Sequence, residues 1–159
     1  MPDMIPLGWF HTIAAIIALI AGYYSIAKFK IISLDDMTGK IYVIMTFLTA
    51  ATALMIFQRG EAGPGHALAV LTLGALFVGT IAAKTKLFGG FSKYIQALSY
   101  TVTLLFHMIP AITDALLRLP VGDPVLTSID APILKGFYLA FLVAFLVTVT
   151  MQFRWLKKQ

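Results

Sequence analysis

The sequence predicts an all-α, polytopic transmembrane helical bundle of five spans, forming a single integral membrane domain over residues 1–159. Three observations predict it. The composition is 60% hydrophobic and 12% charged, with a mean hydropathy of +0.91, too apolar for a water-soluble domain of this size. The apolar residues fall into five runs within the range of about 17–25 residues that a bilayer crossing takes. The cations sit at the ends of those runs, and they alternate between crowded and sparse connections.

The first run, 7–27, ends at Lys28 and Lys30. Its small residues Ala15, Ala18 and Gly22 share a face with His11, so this face is expected to pack on a neighbouring helix and to turn His11 inward. The residues Met1 to Pro6 carry no basic stretch and no small-residue cleavage site, so they read as retained. Asp36-Met37-Thr38-Gly39 has the character of a turn or helix start before the second run, 41–57, where Tyr42, Thr46, Thr49 and Ala53 lie along one side. The connection from Gln58 to Gly65 holds Arg59, Glu61 and the Gly63-Pro64-Gly65 breaker, whose proline suits a helix opening. His66 follows, then the third run, 67–83, closed by Lys84 and Lys86. Gly89-Gly90 breaks the chain before the fourth run, 94–116. The segment 119–132 contains Pro120, Gly122, Pro124 and Pro132 and is too polar for hydrocarbon, so it reads as an external loop folded over the helix ends. The last run, 133–153, ends in Arg154, Trp155, Lys157 and Lys158, an interfacial anchor.

Sorting Lys and Arg by side places Lys28, Lys30, Lys40, Lys84, Lys86, Lys93, Arg154, Lys157 and Lys158 on one face and Arg59, Arg118 and Lys135 on the other. The positive-inside rule therefore puts the N-terminus outside and the C-terminus inside. The net charge of +5 belongs to this topology and not to nucleic-acid binding. With no cysteine, disulfides, thiolate metal sites, iron–sulfur clusters and covalently attached haem are excluded.

The fourth run carries a polar stripe. At about 100° per residue, Gln96, Tyr100, Thr103, His107, Asp114 and Arg118 fall on one side of a helix, and that side cannot face lipid. With entry at Lys93, hydrocarbon of ~30 Å and a rise of ~1.5 Å per residue, His107 lies roughly 10 Å deep and His11 roughly 6 Å, both in the outer half; His66 is shallower. The candidate site is therefore His107, His11 and His66 with Asp114 and Arg118. Pro110, one turn past His107, is expected to kink the helix.

Two neutral imidazoles from different helices suit axial ligation of b-type haem, with Asp114 or Arg118 as outer partners. Three imidazoles with Asp114 suit a transition metal such as copper or zinc. Either would serve electron transfer with quinone or another membrane protein. A different reading makes the stripe a proton or substrate path in a non-redox transporter. The plainest makes Asp114–Arg118 an interfacial ion pair, the histidines packing or capping groups, and the chain an accessory subunit. No nucleophile elbow, phosphate loop or zinc-protease pattern is present.

His11, the Gly39-Lys40-Ile41-Tyr42 element, Phe106-His107-Met108-Ile109-Pro110 and Leu117-Arg118-Leu119-Pro120 resemble segments of small bacterial predicted inner-membrane proteins of unknown function. That resemblance implies a bacterial inner-membrane location and, at the level of fold analogy, similarity to helical-bundle b-type cytochromes. Where those proteins often carry His-Arg ahead of the Gly-basic-x-Tyr element, this chain has Asp36-Met37, which removes any inner-side histidine site.

Overall fold

The computed structural model describes residues 6–56, 63–85 and 87–159. Phe57, Gln58, Arg59, Glu61, Lys86 and the segment 1–5 lie outside the described residues, and with them part of the second connection read above. The described residues form five α-helices and one short 3-10 turn, without strands: α1 Pro6–Phe29, α2 Met37–Ala53, α3 Pro64–Lys84, α4 Ser92–Arg118 and α5 Pro132–Leu156, with the 3-10 turn at Gly89–Phe91. Four helices are long and apolar enough to cross a membrane, α4 together with the 3-10 turn counting as one; α2, at 17 residues, is shorter.

The helix boundaries follow local chemistry. Asp36 holds the extended N-cap conformation and α2 starts at Met37, a turn earlier than its apolar run. Pro64 and Pro132 each occupy the opening turn of their helices, where a missing N–H costs nothing. Helix α4 continues through Pro110 to Arg118. The loop after it folds back on its end: Leu126 N–H donates to the Leu116 carbonyl at 2.9 Å and Val125 N–H to that of Leu119 at 3.1 Å.

Helix α1 packs on α2, α2 on α3 and α3 on α4, while α4 also touches α1 and carries α5 on its outer side. Small residues set these distances. Ala14, Ala18, Ala21, Gly22 and Ser25 form the buried face of α1. A Cβ on Gly22 would stand 2.8 Å from the Tyr42 ring and 2.9 Å from Leu104; one on Gly79 would stand 2.7 Å from the Tyr100 ring. Each of the two fully buried tyrosines thus lies against the backbone of a glycine on the next helix.

Hydrophobicity is distributed inside out relative to a soluble protein. Ile13, Ile16, Ile20, Phe47, Val70, Phe77, Leu139, Leu142 and Leu146 are exposed, whereas Thr46, Thr49, Thr101, Thr103, Gln96, His107 and Gln152 are buried. In water such apolar faces would be a liability; lipid tails solvate them without cost, and the polar groups must then satisfy one another inside.

Candidate functional site

The interior polar groups form a seam along α4. At its starting end Gln96 Nε2 donates to the Ile32 carbonyl at 2.9 Å. Gln152, on α5, accepts from Thr101 at 2.9 Å and donates to the Lys30 carbonyl at 3.0 Å. The two glutamines fasten the start of α4 and the end of α5 to the loop after α1. Two turns further on, the Tyr42 hydroxyl donates to the Tyr100 carbonyl at 3.1 Å and lies against the Thr103 hydroxyl, which donates to the same carbonyl at 2.8 Å. The Tyr100 hydroxyl meets Thr80 on α3 at 3.1 Å.

His107 comes one turn after Thr103 and is 7% exposed. Its Nδ1 is 2.9 Å from the Thr103 carbonyl, which can only accept, so Nδ1 carries the proton and the neutral ring bears its lone pair on Nε2. Among the described residues that buried Nε2 has no hydrogen-bond partner. Buried polar atoms nearly always find partners, so it requires explanation.

His11 is half-buried and held by α2: Nδ1 stands 3.0 Å from the Thr49 carbonyl and 3.1 Å from the Thr52 hydroxyl. The Thr52 hydroxyl donates in turn to the carbonyls of Leu48 and Thr49, at 2.8 and 3.0 Å. Nδ1 of His11 therefore also donates to a carbonyl. His11 and His107 are within electrostatic range of each other, and Asp114 is within range of His11. Three of the five sequence candidates are thus linked pairwise by charge interaction, His107 with His11 and His11 with Asp114.

The other two stand differently. His66 caps α3: Gly63 N–H donates to its Nδ1 at 3.2 Å, while its own N–H donates to the Gly63 carbonyl at 2.9 Å. Arg118 pairs with Asp114 at 3.4 Å, on side chains 49% and 60% exposed. The stripe on α4 is therefore buried from Gln96 to His107 and open at Asp114 and Arg118. Among the described residues no group of three or more His, Cys, Asp or Glu is placed to hold a metal ion. A three-histidine site is not assembled by these helices.

Sequence reasoning missed Thr52 and Gln152. Gln152 carried a signal, being an uncharged amide one turn inside an otherwise apolar helix; Thr52 carried none beyond its three-residue spacing from Thr49. Tyr138 was also missed: its hydroxyl meets that of Thr113 at 2.6 Å, and Thr113 donates to the Ile109 carbonyl at 2.6 Å, tying α5 to the C-terminal part of α4. No family model, curated protein or solved structure matches the chain.

Proposed function

We propose that the protein is a five-span bacterial inner-membrane protein, N-terminus outside and C-terminus inside, in which His107 is a buried proton acceptor reached from the outer face through Asp114 and His11: a proton-path subunit or small proton-coupled transporter. In this reading α2 completes the fifth crossing, and the resemblance of short segments to small bacterial inner-membrane proteins suggests the location. The observation that carries it is the Nε2 lone pair of His107, buried, without a hydrogen-bond partner among the described residues and fixed in its tautomer by the Thr103 carbonyl. An ionisable group kept inside a membrane bundle is costly and most often functional. The gradient of exposure supports the direction: Asp114 is open, His11 half-buried and His107 buried.

The test is proton influx into liposomes holding the purified protein and a pH-sensitive dye, driven by a potassium diffusion potential. Influx above that of empty liposomes, abolished by His107→Ala and slowed by Asp114→Asn, is expected. Influx equal to empty liposomes, or untouched by His107→Ala, would overturn the reading.

A second reading is favoured by the shared tautomer. Both His11 and His107 tie Nδ1 to a carbonyl and leave Nε2 to act, which is how metal-ligating imidazoles are usually oriented. Two such imidazoles would hold a b-type haem more readily than a transition metal needing three or four ligands. Haem bound there would supply one-electron transfer, with quinone or another membrane protein as its partner. It ranks second because α1 and α4 approach closely at Gly22 and Leu104, and a porphyrin between them requires those helices to separate. A Soret band in protein expressed with haem available, lost on His107→Ala, would reverse the ranking.

A further inference from the structure

The end of the bundle where α4 starts and α5 finishes carries an open cleft of about 420 Å³, lined by Tyr94, Val149, Thr150, Phe153, Arg154 and Lys157. It is divided by chemistry. Val149 and the edge-to-face pair of Tyr94 and Phe153, ring centres 5.1 Å apart, make an apolar wall along the helices. Arg154 and Lys157, three residues apart and hence on one helix face, stand exposed at its mouth. We propose that this cleft binds an anionic phospholipid, the phosphodiester between Arg154 and Lys157 and an acyl chain along Val149 and the ring pair.

Charge complementarity selects that occupant. Among the described residues the ion pairs are Asp114–Arg118 and Asp130–Lys135, so neither Arg154 nor Lys157 is paired with a carboxylate. A guanidinium beside an ammonium matches a phosphate, the first by its planar fork and the second as a point charge. Of the other cations at this end, Lys28 Nζ donates to the Tyr24 hydroxyl at 3.1 Å and lies 5.2 Å from the Phe29 ring centre, Lys30 Nζ donates to the Ala27 carbonyl at 3.2 Å, and Lys40, Lys84, Lys93 and Lys158 are not part of the cleft lining. A cleft that is cationic at its mouth and apolar along its length fits a lipid of the adjoining leaflet, whereas a free anion would use only the mouth.

Trp155, adjacent in sequence to Arg154, reports on the site, and Trp9 is the only other tryptophan. The Trp9→Phe protein, reconstituted in phosphatidylcholine vesicles, is titrated with brominated phosphatidylglycerol or brominated phosphatidylcholine, whose bromines quench a neighbouring indole. Brominated phosphatidylglycerol is expected to quench Trp155 at mole fractions about fivefold lower or better, the scale of one to two cations at a lipid surface. R154Q/K157Q in that background should equalise the two lipids, and K28Q/K30Q should leave the preference in place. Equal quenching in the Trp9→Phe protein would overturn the proposal, as would a preference that survives R154Q/K157Q. Equal loss in both double variants would also overturn it, because leaflet charge in general would then be the cause. All four exchanged cations are solvent-exposed, so these variants keep the packed interior intact.

Discussion

Helices α4 and α5 lie side by side, are nearly equal in length and are both apolar enough to cross a membrane, yet they solve different problems. Along α4, eight residues are buried, among them Gln96, Ser99, Tyr100, Thr101, Thr103 and His107. Along α5, only Leu134, Gln152 and Leu156 are. In water the more apolar helix would be the more buried one. Here the reverse holds, because lipid removes the drive to hide apolar surface, and burial is set by the need of polar groups for one another. Apolarity marks a span; polarity marks the side that packs.

The comparison breaks most sharply at glycines. Gly22→Leu forces a side chain into the Tyr42 ring, whose hydroxyl is already held by α4, and should destabilise the folded protein by about 3 kcal/mol. Gly136→Leu on α5 meets open space and should stay within about 0.5 kcal/mol. Unfolding in detergent–urea mixtures, followed by circular dichroism, separates them; equal effects would mean that α1, α2 and α4 are not packed as described.

Next in size is Gln152. Gln152→Leu leaves the Lys30 carbonyl and the Thr101 hydroxyl without this partner and should cost about 2 kcal/mol. Thr150→Val on the exposed side of α5 removes only a bond to its own helix, at Leu146, and should fall within about 0.5 kcal/mol. Thermal unfolding of the two variants would show whether α5 depends on this one amide. The smallest stability effect belongs to Asp114→Asn. It breaks a solvent-exposed pair and should change stability by less than about 1 kcal/mol in the same assay, while slowing proton entry if Asp114 is the outer step of the path.

Much of this was legible in the chain. The stripe Gln96, Tyr100, Thr103, His107 could be read from helical periodicity because a lipid-facing side tolerates none of these groups. The packing side of α1 could be read from Ala18 and Gly22, because small residues let helix backbones approach closely. The pairing between helices could not. Nothing in the spacing of His11 says that its imidazole reaches Thr49 and Thr52 on α2, since the rotation of one helix against another is fixed by side-chain contact and not by period. The Nδ1 of His107, by contrast, is held on its own helix by the Thr103 carbonyl, and Asp114 and Arg118 stand outside the buried stripe as an exposed pair, which costs less than a buried one. His66, two residues after Pro64, is a helix cap, as its position allows.

The state of His107 is directly measurable by nitrogen NMR on histidine-labelled protein in bilayers, since the chain has three histidines. The expected His107 ring is protonated at Nδ1 and bare at Nε2 at neutral pH, gains its second proton when the outer solution is acidified and loses that response on Asp114→Asn with His11→Ala. A ring protonated at Nε2 instead, or one that never responds to the outer solution, would contradict the proton-path reading.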